Sequence, residues 1–344
     1  MKPILKKLII PPLASRPVSA LVSHFLNAHT PVFLIHQLAH EKKYGYGITP
    51  DHLRNCLSYL TENGHNFVSL KDAILALKYG HALPDKAVVF TIDDGFMEQA
   101  TAIVPIFLEF QCPLTFFVIT DMLDQAIWPW DAKVSWLINN STKQSIKIEF
   151  SDETIHFDIS NAEKKYYASD IVRSFIKETD AENTTDALNC VAIATGMTIP
   201  EIPPHQYRAM NWDVARELEA KGVTFASHSK THRILSKMNE QSAKNEIEGS
   251  WQRLKEELSD PLNVFCYPTG RIFDFGSREI SILKENNFLG AVSTIPGHLT
   301  SIEDPDFNLF SLPRFDLPES MTDFIQYCSW IEYAKNKLCL SKLN

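Results

Sequence analysis

The stretch VVFTIDDGF, Val88 to Phe96, is an apolar, β-branched run that ends in two adjacent carboxylates and a glycine. It predicts a buried strand that delivers Asp93 and Asp94 to one edge of a sheet. Two neighbouring carboxylates repel each other unless a cation or a shared proton compensates, so the pair indicates a metal or acid–base site. A surface Asp-Asp-Gly turn is the competing interpretation.

A second motif, SHSKTH at Ser227 to His232, follows another apolar strand, Val223 to Ala226. Its two histidines, His228 and His232, are four positions apart, which predicts both imidazoles on one side of a helical turn. One aspartate and two histidines are the three protein ligands of an open metal site, which leaves a position for water. The other aspartate of the pair would then be free to act as a base.

The two motifs carry a resemblance to a known family. TIDDG at Thr91 to Gly95 resembles Thr-Phe-Asp-Asp-Gly, and SHSKTH resembles Ser-His-Thr-x-x-His, of the polysaccharide deacetylases (NodB homology domain, carbohydrate esterase family four). The likeness extends over roughly residues 31–315. It implies metal-assisted hydrolysis of an N-acetylated carbohydrate substrate, with release of acetate and a free amine.

The resemblance assigns roles to the four side chains. Asp94, His228 and His232 hold a divalent metal, and Asp93 takes a proton from the attacking water. Zinc is the preferred metal, and cobalt, nickel and manganese are compatible with the same ligands.

The later family motifs are altered in this chain. Aligned on Pro268 and Gly270, the Arg-x-Pro-Tyr-Gly motif has Cys266 at its arginine position and Thr269 at its tyrosine position. A backbone oxyanion donor at Thr269 survives such a change, whereas a side-chain ion pair from the arginine position does not. Tyr267 is a candidate for lining the substrate groove.

The family's closing Leu-x-His motif, which supplies a general acid, has no clean counterpart. His298 is the nearest histidine and is predicted to lie on a surface loop. Leu312 to Phe315 is the predicted final strand, and it places Arg314 at the mouth of the site as a substrate-binding candidate. The general acid is therefore unassigned.

Two further side chains are substrate-binding candidates. His36 follows the apolar strand Pro31 to Ile35, where the resembling family often has a histidine, so it either faces the site or is a hydrogen-bonded core residue. Trp130 either stacks on a sugar ring or is a buried aromatic at the base of an insertion.

Strands that alternate with helices predict an α/β protein with a parallel sheet, and with the resemblance a distorted (β/α) barrel of about seven parallel strands. The predicted barrel spans residues 30–318 and includes an α+β insertion at 121–210, where a polar hairpin and two helices replace the regular alternation. Residues 1–29 are a basic N-terminal segment, and residues 319–344 are a C-terminal helix.

Composition limits the partners and the location. The formal net charge of −9 argues against a nucleic-acid partner, because no basic field is available for phosphates. Residues 1–27 show no clear signal peptide or transmembrane helix, so we expect a cytoplasmic or membrane-peripheral protein. This segment either makes peripheral membrane contact or is a helix packed on the barrel. The six cysteines are scattered without a C-x-x-C pair, which indicates neither a disulfide framework nor a zinc knuckle.

Two rival functions remain open at this point. One is an amidase that acts on a small nucleotide-linked or lipid-linked sugar, and the other is a non-catalytic carbohydrate-binding member of the fold. An uncoordinated Asp93 favours an enzyme over the second rival, because a mere binding site has no need of it.

Overall fold

The structure is a computed structural model that describes residues 3–14, 18, 29–36, 38, 47–151, 153–300 and 307–340. Its strands are β1 (Thr30–Ile35), β2 (Asn66–Phe67), β3 (Ala87–Ile92), β4 (Leu114–Val118), β5 (Ser145–Glu149), β6 (Thr154–Asp158), β7 (Thr224–Ser227), β8 (Leu262–Cys266), β9 (Gly290–Val292), β10 (His298–Leu299) and β11 (Phe315–Asp316).

The α-helices alternate with these strands, and several begin at side-chain caps such as Thr49, Ser69, Asn211 and Asn239. They are α1 (Pro3–Leu13), α2 (Pro50–Glu62), α3 (Leu70–Tyr79), α4 (Val104–Glu109), α5 (Thr120–Leu123), α6 (Trp130–Asn140), α7 (Ala162–Glu178), α8 (Thr184–Thr195), α9 (Trp212–Ala220), α10 (Glu240–Glu257), α11 (Ser277–Glu285), α12 (Met321–Tyr327) and α13 (Trp330–Leu340).

The main sheet has the strand order β10-β1-β3-β4-β7-β8-β9, in which β10 is antiparallel to β1 and the other pairs are parallel. Segment 312–317 hydrogen-bonds to both ends of this sheet. The Leu312 N–H donates to the Ala291 carbonyl at 2.9 Å, and the Leu317 N–H donates to the Leu34 carbonyl at 3.0 Å. The sheet therefore curls into the predicted distorted (β/α) barrel, which is confirmed.

The core lies on both faces of the curled sheet because successive strand residues point to opposite sides. The apolar strand runs predicted from the sequence are buried along their whole length in β1, β3 and β4. Such strands are typical of parallel sheets covered on both faces. As a result, the carboxyl ends of the strands meet at one rim, where the polar motifs lie.

The region between β4 and β7 forms its own α+β unit, as the sequence predicted. The β5–β6 hairpin packs one face on α6, α7 and α8, and the alternate residues of β5 are exposed. A separate apolar cluster that includes Val134, Val172 and Val191 stabilises this insertion.

Three predicted elements differ from the structure. The apolar spacing from Met97 to Phe110 predicts an α-helix, but in the structure this segment begins as a π-helical turn, Gln99–Ile103, before α4. Pro105 lacks an N–H, which interrupts regular α-helical hydrogen bonding here. The single C-terminal helix is instead two helices, α12 and α13, and residues 341–344 lie outside the described residues. His298 is in strand β10 and is 5% exposed, so its predicted position on a surface loop was wrong.

Much of the predicted N-terminal segment lies outside the described residues. Its described part, α1, packs against the C-terminal helices, where Lys6 Nζ lies 2.7 Å from Asp323 Oδ1 and Trp330 Nε1 donates to the Leu13 carbonyl at 3.2 Å. None of the helices that could be searched combines the length and apolar character needed to cross a bilayer.

Candidate active site

The Asp-Asp-Gly turn directly follows β3 at the rim of the barrel. Asp93 is 0% exposed and Asp94 is 8% exposed, so both carboxylates are buried. Asp94 has a φ of 87° and Gly95 a φ of 106°, both in the left-handed region. A Cβ on Gly95 would lie 2.7 Å from Leu123 Cδ1, so the turn needs glycine. Strained backbone of this kind is frequently found at functional sites.

Gln99, which the sequence analysis missed, holds this turn in place. Its Oε1 accepts from the N–H groups of Gly95 at 3.2 Å and Phe96 at 2.8 Å, and its Nε2 donates to the Asp93 carbonyl at 2.8 Å. The same Nε2 donates to the carbonyl of His36 at the end of β1. One buried amide therefore ties the carboxylate turn to the His36 segment.

The two motif histidines follow β7 in an irregular loop, so the predicted helical turn was wrong. Ser229 and His232 have φ values of 63° and 60°, which no α-helix allows. The His232 N–H donates to Ser229 Oγ at 3.1 Å and closes the loop. The loop still brings the two imidazoles together, with ring centroids 4.9 Å apart.

Glu246 of α10 anchors the histidine loop from below. Its carboxylate accepts from the N–H groups of Lys230 and Thr231, both at 2.9 Å, and from Thr231 Oγ1 at 2.6 Å. Trp130 Nε1 donates to the His232 carbonyl at 3.2 Å from the insertion side. Trp130 is thus 7% exposed and packed under the loop, where it positions His232.

Asp94, His228 and His232 converge from distant parts of the chain. Asp94 Oδ1 lies 3.7 Å from His228 Nε2 and 3.8 Å from His232 Nε2. Ligand atoms around a tetrahedral zinc ion are separated by roughly 3.4 Å when each bond is about 2.1 Å. The spacing of these three side chains therefore fits a single divalent ion.

The electrostatics of this cluster also fit a cation. His228 Nδ1 lies 2.9 Å from the Cys266 carbonyl, so we assign the proton to Nδ1 and the lone pair to Nε2, which has no hydrogen-bond partner among the described residues. Burial lowers the pKa of His228 to about 3, so the ring is neutral. Burial, together with Asp131 and Asp93, raises the pKa of Asp94 well above its ordinary value, and a bound cation would remove this penalty.

Asp131, at the start of α6, is a third carboxylate close to the cluster. Its Oδ1 lies 4.0 Å from His232 Nδ1, which has no hydrogen-bond partner in the described part of the chain. A carboxylate behind a histidine ligand commonly orients its ring. The insertion therefore contributes Asp131 and Trp130 to the surroundings of His232.

Arg314 lies beneath the site and not at its mouth. The side chain is 0% exposed, and its Nη1 and Nη2 lie 2.8 Å and 2.7 Å from the two oxygens of Asp93. Its Nε donates to the Ser293 carbonyl and its Nη1 also donates to Thr91 Oγ1, at 2.9 Å and 3.0 Å. Cys266 occupies the arginine position of the motif, so an arginine ion pair was not expected here. Arg314, from another segment of the chain, supplies that ion pair.

This pair sets the charge state of Asp93. Burial acts to raise the pKa of Asp93, but the Arg314 guanidinium more than offsets it and holds that pKa below its ordinary value. Cys266 Sγ lies 3.5 Å from Asp93 and 3.1 Å from Arg314 Nη2. Because the guanidinium already fills this place, Asp93, Cys266 and His228 are a poor second metal site, although their ligand atoms are close together.

His36 lies at the rim above Asp93. Its Nε2 is 3.5 Å from Asp93 Oδ2, its Nδ1 is 3.8 Å from Asp316 Oδ1, and its side chain is 36% exposed. Of the two interpretations of His36, the structure supports the one in which it faces the site.

Tyr267 and Thr269 follow β8 on the same rim. Tyr267 is 1% exposed, stacks on Phe275 and donates to the Phe310 carbonyl at 3.0 Å, so it supports the wall from inside and does not line a groove. Thr269 has a φ of 57°, and its side chain donates to Asp274.

A curled parallel sheet with an Asp-His-His cluster at its carboxyl rim, and a second carboxylate held by arginine, defines a (β/α)-barrel protein whose rim could hold a metal ion. Residues 175–287 match the family model described as polysaccharide deacetylase. This match covers the histidine motif and Glu246 but begins after the Asp93–Asp94 pair. The geometry of the cluster connects that pair to the matched region, and the predicted resemblance to the polysaccharide deacetylases is confirmed.

Curated relatives carry the same description. The poly-beta-1,6-N-acetyl-D-glucosamine N-deacetylase of Escherichia coli K12 is 29% identical over 153 residues, and the protein of that name from Escherichia coli O157:H7 matches equally. The match covers 43% of this chain and only 19% of the relative's length.

Solved structures share the fold across most of the chain. The deacetylase PplD of Streptococcus pyogenes, in complex with acetate, gives a TM-score of 0.57 at 15% identity and covers 88% of this chain and 99% of that one. IcaB from Ammonifex degensii gives 0.55 at 15% identity and covers 89% of this chain and 98% of that one. At this identity the likeness shows the fold alone.

Proposed function

We propose that this protein removes N-acetyl groups from amino sugars of a polysaccharide, oligosaccharide or glycolipid and releases acetate. The observation that carries the proposal is the convergence of Asp94, His228 and His232, with Asp93 beside them and paired with Arg314. Asp94 and the two histidines would hold a divalent ion, zinc first, with cobalt, nickel or manganese also compatible. Such an ion, when bound, supplies Lewis-acid chemistry to the acetamide oxygen and to water.

Asp93 is the proposed general base. Its low pKa keeps the carboxylate ionised, and the two Arg314 contacts fix the direction of its oxygens. The ionised carboxylate can accept a proton from a water molecule that attacks the acetamide carbon. The buried position excludes competing solvent, and the arginine prevents the carboxylate from turning toward the metal ligands.

His36 is the proposed general acid for the leaving amine, a role that the motif pattern left unassigned. Its Nε2 lies 3.5 Å from Asp93 Oδ2, and its ring, unlike that of the buried His228, is partly exposed and can reach both solvent and substrate. Gln99 fixes its backbone, and Asp316 Oδ1 lies 3.8 Å from its Nδ1. The Thr269 N–H is the proposed oxyanion donor, and loss of a donor of this kind typically costs about 2.7–4 kcal/mol.

The two rival functions predict different behaviour. An amidase for a small nucleotide-linked or lipid-linked sugar would show no preference for longer saccharides. A non-catalytic binding protein has no use for a buried arginine that keeps Asp93 ionised, because removal of both charges from the interior would be neutral or stabilising. The Asp93–Arg314 pair therefore supports an enzyme.

The test measures acetate release from a panel of N-acetylated saccharides, with and without a chelator, and bound metal by elemental analysis. Asp93→Asn should lose turnover by about 10²–10⁴-fold and keep the metal, while His228→Ala should lose the metal. Thermal melting of each variant in chelator serves as the folding control. Full metal content in His228→Ala would refute the ligand assignment, and acetate release at the wild-type rate by Asp93→Asn would refute the base.

A further inference from the structure

A cavity of about 420 Å³ lies beside the proposed reaction centre, between the barrel rim and the insertion. His36, Phe96 and Gln99 form its barrel side, while Ser135 and Arg173 belong to its insertion side. His36 and Gln99 also contact Asp93, so the cavity lies directly beside the Asp93 turn, although Asp93 itself does not line it. It is too large for an acetamide group alone.

Arg173 of α7 is the cationic side chain of the insertion wall. Its Nη1 donates to Ser135 Oγ at 3.0 Å, and Ser135 Oγ donates to the Asp131 carbonyl at 3.0 Å. The Ser135 hydroxyl, held by the Asp131 carbonyl, therefore fixes the position of the Arg173 guanidinium. The Arg173 side chain is 20% exposed. Several N–H groups of the fork remain available to an incoming oxygen atom.

Two oxygen atoms of the same wall lack partners. Ser169 Oγ and Asn139 Oδ1 are buried and make no hydrogen bond within the described residues. Buried polar atoms in proteins are nearly always paired, and unpaired ones cost free energy. A ligand that carries hydroxyl groups would supply the missing partners.

The cavity favours a neutral sugar over an anion. Glu98 lies in the wall, and Asp170 Oδ1 is 3.4 Å from Arg173 Nη2, so the positive charge is largely balanced. Tyr166 and Phe96 add aromatic surface beside the polar atoms. An apolar face beside a rim of hydrogen-bonding groups matches the two faces of a pyranose ring.

We infer that this cavity binds the sugar residue adjacent to the one that loses its acetyl group, and that Arg173 is a specificity-determining residue. This inference rests on the proposed function and deepens it, because it makes the substrate at least a disaccharide. The insertion then has a defined role, since it supplies the insertion wall of the cavity.

The experiment compares kcat/KM for an N-acetylated monosaccharide and for its linear trisaccharide. Wild type should favour the trisaccharide by at least tenfold, and Arg173→Ala should reduce that ratio about tenfold through a higher trisaccharide KM. Arg173→Lys should retain part of the preference, because the lysine ammonium still donates hydrogen bonds although it lacks the planar fork of the guanidinium. The matched control is Lys164→Ala on the same helix, where Lys164 is exposed and pairs with Asp158.

Ser169→Ala separates binding from folding. If Ser169 Oγ makes its hydrogen bond to a ligand and not to the protein, the variant should melt at the same or a higher temperature and show a raised trisaccharide KM. A lower melting temperature with unchanged selectivity would show a structural hydroxyl and overturn its role in the cavity. An equal preference for both substrates in wild type, or an unchanged ratio in Arg173→Ala, would overturn the inference as a whole.

Failure of this inference is distinguishable from failure of the proposed function. No acetate from any substrate by the metal-loaded protein would refute the deacetylase proposal alone. Calorimetric titration of the same trisaccharide into wild type and Arg173→Ala still tests the cavity in that case. Weaker binding by the variant supports the cavity site, and equal or absent binding in both refutes it.

Discussion

Asp93 and Arg314 form a fully buried ion pair from positions 221 residues apart. Removal of one partner leaves the other charge buried and unpaired, which typically costs about 3–5 kcal/mol. We therefore expect Asp93→Asn and Arg314→Gln each to lower the free energy of unfolding by this amount, measured by urea denaturation in chelator. The loss of unfolding free energy in the double variant should be much smaller than the sum of the losses in the two single variants.

The matched control is the exposed pair Arg216 and Asp213 on α9. Arg216→Gln and Asp213→Asn should each cost about 0–1 kcal/mol and combine additively. Additive losses at Asp93 and Arg314 would mean that the two side chains do not depend on each other.

His36 can be tested through the leaving group. His36→Gln should reduce kcat for the N-acetyl amide by about 10²–10⁴-fold, because the departing amine needs a proton. The kcat for hydrolysis of an aryl acetate should change little, because a phenolate leaves without being protonated. A parallel loss on both substrates would contradict the acid role, and the exposed His81→Gln serves as the control.

The Asp94, His228 and His232 cluster could be predicted as a candidate metal site because aspartate and histidine at strand ends have a distinctive chemistry. The roles of Arg314 and Gln99 could not, because they depend on contacts across the barrel. Arg314 contacts Asp93 from a position 221 residues later in the chain. Gln99 lies in a π-helical turn, but the apolar residues around it have the spacing of an ordinary α-helix. Buried arginine is rare unless paired, which was the missed signal in Leu312 to Phe315.

At the scale of elements, helix α10 contacts the backbone of the histidine loop through Glu246, while Ser250 of the same helix hydrogen-bonds Ser227 at the end of β7. Glu246→Gln exchanges an acceptor carboxylate for an amide and should loosen the loop. We expect metal affinity to fall about 10–100-fold, as for other residues that orient metal ligands. Competition with a chromogenic chelator measures this.

Glu256→Gln on the same helix is the control, since the Glu256 carboxylate accepts from the side chains of Gln252 and Arg253, one turn earlier on α10 and away from the histidine loop. Unchanged metal affinity in Glu246→Gln would show that the loop holds its shape without α10.

Helix bounds are predictable where a local cap sets them. The pattern from Ala162 to Glu178 predicts a helix that agrees with α7, whose start is capped by Asn161 Oδ1 accepting from the Lys164 N–H. The histidine loop was not predictable from spacing, because a four-residue separation fits both a helix and a loop. Contacts to Ser229 and Glu246 decide between them here.

At the scale of the whole molecule, His298 links the sheet to the C-terminal helices. Its Nε2 lies 2.8 Å from the Tyr327 carbonyl, its Nδ1 has no hydrogen-bond partner within the described residues, and the ring of His29 lies 5.2 Å away. Burial, reinforced by His29, lowers the pKa of His298 to about 4. The folded protein thus resists protonation at this ring.

Because the unfolded histidine titrates near pH 6.5, the unfolded chain gains a proton between pH 6.5 and 4 that the folded chain refuses. Stability from His298 is full above this window and falls as the pH drops through it, by on the order of 1–3 kcal/mol. His298→Gln should therefore show a flatter pH dependence of the unfolding free energy than wild type. Identical slopes for the two proteins would contradict this.

The overall barrel and the position of the insertion were predictable, because alternating strands and helices set the parallel sheet. The closure of the sheet was not predictable. The sequence predicts a final strand at Leu312 to Phe315, but a segment as short as 312–317 does not show which strands it will pair with. Such closure depends on backbone bonds to Ala291 and Leu34, which lie far from it in sequence.

The late position of Arg314 has a consequence for synthesis on the ribosome. A nascent chain that already contains Asp94, His228 and His232 still lacks the counter-charge for Asp93 until residue 314 has emerged. The buried carboxylate of Asp93 is therefore neutralised only after the candidate metal ligands have been made, and a product that terminates before residue 314 would lack this ion pair.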